Sequence, residues 1–288
     1  MEINGKTEFF CLIGSPVGHS GSPAMYNYAF QKTDINSVYL AFDVPLGGTR
    51  DAVNALKTLG CKGFNVTMPC KTAVAELADE LSEAAALIGA CNTVVIRENR
   101  LCGYNTDGIG FVRNLTEHGV DVSGKTITVL GAGGAATAIQ VQCALDGARK
   151  LNIFNRNDEF YANAEATARK IMDRIPGLAV NVCPLEDEES LRRSIGESHI
   201  LVNATKAGMK PLEDETPVKD PSVFRPDLVV ADAVYNPRET RLLREARAGG
   251  CKTVVGGIGM LLWQGDAAFR IFTGKCMPTE EIYERFFR

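Results

Sequence analysis

A glycine-rich turn near the middle of the chain has the spacing of a dinucleotide site. Residues 126–136 read TITVLGAGGAA, so an apolar strand runs directly into a G-x-G-x-x-A motif. Gly131 allows the tight turn, Gly133 lets the backbone approach a pyrophosphate, and Ala136 permits close packing of helix on strand. Such a spacing can be a mere tight turn. The strand before it and the helix predicted after it favour an anion held at the helix N-terminus.

The predicted strand that follows ends at residues 155–158, which read NRND. In dinucleotide folds an acid at this point usually holds the adenosine ribose, and here Asn155 takes that place. Arg156 could stack on adenine or pair with a 2′-phosphate, whereas Asp158 would accept hydrogen bonds from a free 2′-hydroxyl and repel a 2′-phosphate. Together, these residues favour NAD as the cofactor, and the sequence leaves open whether the protein uses both NAD and NADP. Asp158 could instead simply cap the next helix.

A second group of polar residues follows predicted strands in the first third of the chain. Ser20 and Ser22 lie at a helix start, where free N–H groups bind carboxylates, although Ser22 alone could be a plain N-cap. Thr67 and Lys71 come just beyond another strand, and Asp107 precedes a glycine. Taken singly, Lys71 is typical of a solvated lysine and Asp107 of a turn residue.

Composition excludes several classes of protein. The 288 residues predict about two domains at about 150 residues each. Apolar residues are 45% and charged residues 23%, which argues against disorder, collagen-like repeats and coiled coil. A formal net charge of −4 gives no electrostatic footprint for nucleic acid. No run of about 18 apolar residues occurs, so we expect no membrane span.

Cysteines and histidines bear on compartment and metal binding. The nine cysteines are scattered without a C-x-x-C pair, which is typical of a reducing cytoplasm. The N-terminus lacks the features of a signal peptide, so we expect a cytoplasmic protein. The three histidines lack metal-ligand spacing, and we expect no metal site.

Two series of alternating strands and helices must position these residues. The first predicts strands at 8–14, 38–44, 63–67, 92–96 and 100–104 and helices at 23–32, 49–59, 71–81 and 83–89. Its last two strands bracket a predicted turn at Glu98 and Asn99 and form a ribbon. The second predicts strands at 126–130, 150–154, 179–182, 199–202, 228–231 and 252–255 and helices at 111–118, 134–145, 161–174, 239–247, 259–272 and 279–287. The alternation indicates two α/β domains with parallel sheets and a short junction near 106–111.

Eight motifs occur in one order between Ser20 and Gln264, and together they resemble the shikimate dehydrogenase family. They are H-S-x-S-P, N-V-T-M-P-x-K, C-N-T, Y-N-T-D-G, G-A-G-G-A, N-A-T-K-A-G-M, Y-N-P and G-M-L-L-W-Q. The N-R-N-D segment, Lys206 and Trp263 are most similar to the quinate/shikimate dehydrogenase branch, which accepts NAD as well as NADP. Strictly biosynthetic members usually have N-R-T there and use NADPH.

The resemblance implies a fold and a reaction. It implies an N-terminal α/β substrate domain (1–107, completed by the C-terminal helices 259–288), a Rossmann-type NAD(P)-binding domain (108–258) and a cleft between them. The reaction would transfer a hydride between NAD(P) and a ring hydroxyl of shikimate or quinate, giving 3-dehydroshikimate or 3-dehydroquinate. The expected partner is this small-molecule substrate, and we expect no binding to nucleic acid or to a membrane. Whether the protein forms a homodimer is left open.

The resemblance also assigns site residues. Those for the substrate are Ser20, Ser22, Thr67, Lys71, Asn92, Asp107, Tyr235 and Gln264. Those for the cofactor are Gly131, Ala132, Gly133, Gly134, Ala135, Asn155, Arg156, Asn157, Asp158, Lys206, Ala233, Val234, Tyr235, Asn236 and Gly257. Lys206 could instead be an exposed loop lysine. Gly256 stands where Asp often occurs in the family, which puts the geometry beside Gly257 in question.

Lys71 and Asp107 are the expected catalytic pair. Oxidation of an alcohol needs a proton acceptor at the oxygen as well as a hydride acceptor at the carbon. Lys71 fits the proton acceptor if burial lowers its pKa, but an adjacent Asp107 carboxylate would favour the ammonium. We therefore expect acid–base catalysis by Lys71 with Asp107 as partner, and the alternative is that Lys71 only orients and polarises the oxygen. Cys70 could be a reactive thiol beside the ammonium or a packed core residue.

Two other functions stay open from the sequence. One is a strictly NADPH-dependent biosynthetic shikimate dehydrogenase, against which Asp158 argues. The other is a non-catalytic sensor of a dinucleotide and a ring acid, against which the retention of both Lys71 and Asp107 argues.

Overall fold

In the computed structural model, which describes Glu2–Arg288, the chain divides into two compact units. The first comprises the residues up to Thr106 together with Leu262–Arg288, and the second is Asp107–Leu261. These bounds differ by at most three residues from the division predicted above.

The elements alternate along the whole chain. The strands are β1 (Glu8–Gly14), β2 (Ser37–Asp43), β3 (Gly63–Val66), β4 (Glu80–Leu81), β5 (Thr93–Arg97), β6 (Arg100–Tyr104), β7 (Thr126–Leu130), β8 (Lys150–Asn155), β9 (Ala179–Pro184), β10 (Ile200–Asn203), β11 (Val229–Asp232) and β12 (Thr253–Val255). The helices are α1 (Ser22–Lys32), α2 (Thr49–Thr58), α3 (Lys71–Leu77), α4 (Glu83–Ile88), α5 (Asp107–Glu117), α6 (Gly134–Leu145), α7 (Tyr161–Arg174), α8 (Glu188–Glu197), α9 (Arg241–Ala248), α10 (Ile258–Thr273) and α11 (Thr279–Phe286). Within Glu2–Arg288, none of these helices combines the length and the apolar character that crossing a membrane requires.

The first unit contains a six-stranded mixed sheet in the order β2-β1-β3-β5-β6-β4. β1 runs parallel to β2 and β3, whereas β5 is antiparallel to both β3 and β6. The ribbon that the sequence predicts for the last two strands of this unit is therefore confirmed, and the predicted parallel arrangement holds for β1, β2 and β3. A tight turn at Glu98 and Asn99, both with positive φ (48° and 62°), reverses the chain between these two strands.

The helix predicted over 71–81 is shorter than expected. It ends at Leu77, and Glu80–Leu81 forms β4 beside β6. The N–H of Asp79 donates to the carbonyl of Leu101 (2.9 Å), and the N–H of Leu101 donates to the Asp79 carboxylate (2.6 Å). These long-range bonds hold the segment extended, which local sequence periodicity does not show.

Both faces of the first sheet are covered, which explains why β1 is apolar at almost every position. Cys11 and Ile13 face a core that includes α2 and α3. Phe10 and Leu12 face a second core built with α1, α10 and α11, where Phe30 and Phe269 are fully buried. The C-terminal helices, from Leu262 onward, thus complete the core of the first unit.

The second unit is a six-stranded, all-parallel sheet in the order β12-β11-β10-β7-β8-β9. Counted from its own first strand, this is the order 6-5-4-1-2-3 of a Rossmann fold. Helix α8 was not predicted, although Asp187 caps its start by accepting from the N–H of Ser190 (3.0 Å) and Leu191 and Ile195 bury its inner face. Helix α5 begins at Asp107 rather than at the predicted 111, so Asp107 is a helical residue and not a turn residue.

Candidate active site

The carboxyl ends of β1 and β3 meet at one edge of the first sheet. Gly14 ends β1 with a φ of +150°, and a Cβ there would lie 2.8 Å from the carbonyl oxygen of Met68, so only glycine fits. The N–H of Thr67 donates to the carbonyl of Ile13 (2.9 Å), and that of Ser15 donates to the carbonyl of Met68 (3.0 Å). Thr67 is thereby held half-buried against the end of β1.

Lys71 is the first residue of α3, four positions after Thr67, and is half-buried. Cys70 anchors this helix start: its thiol is fully buried, lies 3.3 Å from the carbonyl oxygen of Val44 and accepts from the Thr49 hydroxyl (3.2 Å). Cys70 is therefore a packed core residue rather than an accessible reactive thiol.

Asn92 lies at the same edge, because β5 runs antiparallel to β3. The N–H of Cys91 donates to the carbonyl of Lys71 (3.0 Å), which places Asn92 beside the start of α3. The buried Asn92 amide donates to the hydroxyl of Thr106 (3.0 Å) and accepts from its N–H (2.8 Å). The structure thus brings Thr67, Lys71 and Asn92 together at one sheet edge.

A buried polar chain behind Asn92 escaped the sequence analysis. The Tyr39 hydroxyl donates to the Asn65 side chain (2.7 Å), whose NH2 donates to the Thr93 hydroxyl (3.0 Å). That hydroxyl in turn donates to the Asn92 carbonyl oxygen (2.9 Å). The signal in the sequence was Asn65, a carboxamide inside the otherwise apolar strand β3.

Ser20 and Ser22 lie at the beginning of α1. Ser22 is its first residue, and the N-cap is Gly21 without a side-chain cap, so the expectation that Ser22 is the N-cap is wrong. The N–H of Ser22 donates to the Ser20 hydroxyl oxygen (3.2 Å). A helix start without a side-chain cap suits an anionic ligand.

Gln264 lies on α10, within the first unit and half-buried. Its neighbour Gly265 accepts a hydrogen bond from the Tyr26 hydroxyl (3.3 Å) and would bring a Cβ within 2.7 Å of the Met25 methyl group. Gln264 therefore sits one residue from a close contact with the first turns of α1.

The glycine loop of the second unit fits a pyrophosphate. Gly131 has a φ of +111°, and a Cβ there would lie 2.8 Å from the carbonyl oxygen of Ala204. Helix α6 begins at Gly134 without a side-chain cap, and a Cβ on Gly133 or Gly134 would meet nothing within 4 Å. Within this loop, Gly134 and Ala135 are exposed, whereas Ala132 is buried. Free N–H groups and open space at one helix start are what a dinucleotide phosphate requires.

At the end of β8, the two carboxylate oxygens of Asp158 have different partners. One carboxylate oxygen accepts from the Asn155 amide (2.8 Å) and from the N–H of Phe160 (3.0 Å), just before α7. The other lies 3.6 Å from an Arg156 guanidinium nitrogen. Arg156 and Asn157 are exposed, and Asp158 is half-buried. The N-cap of α7 is Phe160, without a side-chain cap, so the alternative that Asp158 caps this helix is wrong. Asp158 closes the turn before α7 and lies beside Arg156.

Two loops after β10 and β11 carry the remaining predicted cofactor residues. Lys206 is exposed on the first, and Tyr235 is 50% exposed on the second. Met209, Lys210, Val234, Tyr235 and Asn236 line a cavity of about 130 Å³ between these loops. A Cβ on Gly257 would lie 2.6 Å from the carbonyl oxygens of Ala233 and Val234, so glycine is needed where β12 leads past this loop.

Sequence analysis also missed Asp232, which is 1% exposed at the end of β11. Burial raises the pKa of its carboxyl to about 6, against the lowering effect of hydrogen bonds from Thr240, Val234 and Asn203. The structure places Asp107 at the first residue of α5, half-buried in the second unit. Among residues 2–288, no group of three or more His, Cys, Asp or Glu side chains could hold a metal ion.

Comparison with known proteins bears on both units. Residues 12–94 match the family model of the shikimate dehydrogenase substrate binding domain, and residues 257–285 match that of the shikimate 5′-dehydrogenase C-terminal domain. A curated relative, shikimate dehydrogenase (NADP(+)) of Listeria monocytogenes serotype 4b, is 48% identical over 285 residues, covering 99% of this chain and 97% of the relative.

Two solved structures are similar over the full chain. A shikimate 5-dehydrogenase of Listeria monocytogenes in complex with shikimate and NAD has a TM-score of 0.96 at 48% identity, covering 99% of this chain and 98% of the other. A quinate dehydrogenase of Corynebacterium glutamicum in complex with NAD has a TM-score of 0.86 at 32% identity, covering 98% and 99%.

Proposed function

The chain belongs to the shikimate dehydrogenase family, and we propose that the protein oxidises a ring hydroxyl of shikimate to the ketone, giving 3-dehydroshikimate, with NAD(P)⁺ as oxidant. The observation that carries this proposal is the edge of the first sheet, where Thr67, Lys71 and Asn92 meet. A hydroxyl, an ammonium and an amide on neighbouring strand ends suit a ring that carries several hydroxyls.

The polar groups divide by the part of the substrate that they suit. We assign the substrate carboxylate to Ser20 and Ser22, at the start of α1 without a side-chain cap, with Tyr235 as a further donor. We assign the ring hydroxyls that do not react to Thr67, Asn92 and Gln264. Because backbone contacts to β1 and the Thr106 bonds fix Thr67 and Asn92, these donors are oriented before substrate binds.

Lys71 is assigned to the reacting hydroxyl. In the direction of oxidation the neutral amine Nζ takes the hydroxyl proton as the C–H bond breaks, and Asp107 orients the resulting ammonium. In the reverse direction the ammonium returns that proton to the oxygen. When bound at the glycine loop, NAD(P)⁺ supplies the acceptor for the hydride.

The cofactor is held, in this proposal, by the glycine loop and by the turn after β8. Gly131 to Ala135 receive the pyrophosphate, and Asn155 to Asp158 receive the adenosine ribose. Lys206, Ala233 to Asn236 and Gly257 border the rest of the cofactor. The Asp158 carboxylate favours a free 2′-hydroxyl, so we propose that NAD is accepted alongside NADP. The curated relative is named for NADP(+), so a preference for NAD stays a prediction from Asp158 alone.

Quinate is a second candidate substrate, supported by the full-length likeness to a quinate dehydrogenase. Quinate has one more hydroxyl, on a saturated carbon, so its fit depends on a few atoms of space near Thr67. Replacing Thr67 by serine removes one methyl group. No change in the ratio of quinate to shikimate turnover would exclude Thr67 as the residue that limits quinate.

The test is a matrix of steady-state rates for shikimate and quinate, each with NAD⁺ and with NADP⁺, measured from the absorbance of the reduced cofactor. We expect turnover of shikimate with at least one cofactor. A kcat/KM that strongly favours NADP⁺ would establish the strictly NADPH-linked alternative. Binding of cofactor and shikimate without any turnover would refute the proposal and support a sensor.

A further inference from the structure

Asp232 is a buried carboxylate that three neutral donors surround. It ends β11 and is 1% exposed. One oxygen accepts from the Asn203 amide (3.0 Å) and from the N–H of Val234 (2.9 Å), and the other accepts from the Thr240 hydroxyl (2.6 Å). A buried carboxylate with this many donors is a fixed anchor, because each donor loses its partner if the carboxylate is removed.

Asn203 connects Asp232 to the loop that follows β10. Its amide also donates to the carbonyl of Ala207 (3.1 Å). Its side-chain oxygen accepts from the N–H (3.0 Å) and the hydroxyl (2.7 Å) of Thr205. The loop around Lys206 is therefore held at both sides by a single side chain, and that side chain is itself oriented by Asp232.

Val234 and Thr240 connect Asp232 to the loop that follows β11 and to the start of α9. The bond to the N–H of Val234 fixes the first turn of the loop at 233–236. Thr240 caps α9 by accepting from the N–H of Leu243 (3.4 Å), and a Cβ on Gly208 would lie 3.0 Å from its methyl group. The two loops border the same cavity of about 130 Å³, lined by Met209, Lys210, Val234, Tyr235 and Asn236.

We infer that Asp232 is a positioning residue for the nicotinamide cofactor: its carboxylate locks the loops at 204–207 and 233–236 in the arrangement that binds it. This inference rests on the proposed function, which assigns both loops to the cofactor. Asp232 does not touch the cavity itself, and it acts through Asn203 and Val234. Its loss therefore weakens cofactor binding more than shikimate binding, because Tyr235 is the only residue of these two loops that the proposed function assigns to the substrate.

Four variants test this. Asp232→Ala removes the acceptor of all three bonds. Asp232→Asn keeps the oxygen that accepts from Asn203 and Val234, and its NH2 group can donate to Thr240. Thr240→Val removes one bond at nearly constant volume. Thr128→Val is the matched control, since it also removes one buried hydroxyl bond of the second unit, between Thr128 and Ser198 (2.8 Å), which contacts neither loop.

The readouts are the Kd of NADH and NADPH, from fluorescence titration without substrate, and the KM of each substrate. For Asp232→Ala we expect a Kd raised about tenfold or more, equivalent to about 1.4 kcal/mol, and a smaller rise in the KM of shikimate, which depends on these loops through Tyr235 alone. Asp232→Asn restores the Kd to within about threefold. Thr240→Val raises it about threefold or more, and Thr128→Val leaves it unchanged.

Several results would overturn the inference. One is an unchanged NADH affinity in Asp232→Ala, or in Thr240→Val should the alanine variant fail to fold. Another is an equal loss in Thr240→Val and Thr128→Val, which would assign the effect to general destabilisation. Failure of the proposed function has a different signature: wild-type protein that binds NADH but turns over neither shikimate nor quinate. The NADH titrations remain decisive for Asp232 in that case.

Discussion

Replacing Asp232 by asparagine removes a buried titration and should change how stability depends on pH. Burial raises the pKa of this carboxyl from 3.8 to about 6, and its hydrogen-bond partners Asn203, Thr240 and Val234 are all neutral. Between these two pKa values the folded protein keeps a proton that the unfolded chain has released. The free energy of unfolding of the wild type therefore falls as pH rises through this window.

The size of the effect follows from the two pKa values. A difference of about two units corresponds to roughly 3 kcal/mol over the whole titration, at about 1.4 kcal/mol per unit. Between pH 5 and pH 8, where the protein is easier to handle, roughly half of this remains. We expect the wild type to lose roughly 1–2 kcal/mol relative to Asp232→Asn over that range.

The assay is urea unfolding followed by circular dichroism at several pH values, for wild type, Asp232→Asn and Thr128→Val. Taking the difference between wild type and Asp232→Asn at each pH cancels the other titrating groups, and Thr128→Val shows whether any substitution in the second unit changes the profile. A wild-type minus Asp232→Asn difference that is flat from pH 5 to pH 8 would refute the reasoning. It would mean that the three hydrogen bonds offset the cost of burying the charge.

Three further predictions concern the proposed site and its support. Lys71→Ala should lower kcat by about 10²-fold or more with little change in the KM of shikimate; near-normal kcat with a raised KM would leave only a binding role. Asp158→Asn should raise kcat/KM for NADP⁺ relative to NAD⁺ by about tenfold, because it removes a negative charge next to Arg156; an unchanged ratio would remove Asp158 from cofactor selection. Tyr39→Phe should lower the free energy of unfolding by about 1–3 kcal/mol, because the buried Asn65 oxygen loses its donor; a loss below about 0.5 kcal/mol in denaturant titration would contradict this.

Sequence reasoning succeeded where the structure is determined by neighbouring residues. Strand β7 and helix α6 have the predicted bounds, since an apolar run, a glycine turn and a helix start are contiguous in the chain. It failed at β4, which exists because Glu80 and Leu81 pair with β6, about twenty residues away along the chain. It also missed α8, whose many charges obscure two buried apolar positions, Leu191 and Ile195.

The residues of the candidate site likewise fall into those that the sequence reveals and those that it does not. Thr67, Lys71 and Asn92 could be found because each lies within a recognisable motif, with Thr67 directly after β3, Asn92 directly before β5 and Lys71 at the start of the next helix. The side chains that hold them could not, because their bonds join residues far apart in sequence, as Tyr39 and Asn65 do. A lone polar residue in an apolar strand indicates that it makes a buried hydrogen bond, but the sequence does not show which residue is its partner.

In both units, side chains provide hydrogen bonds for the backbone groups that follow the end of a strand. Where a strand ends at the edge of a sheet, backbone groups of the following loop have no ladder partner and must be satisfied by other groups if they are buried. In the first unit the Asn92 side chain accepts from the N–H of Thr106, and in the second Asp232 accepts from the N–H of Val234. Asn203 does the same for Thr205. A loop anchored at its first residues can leave its exposed residues polar and still ordered, which is what binding a hydroxylated ring and a dinucleotide requires.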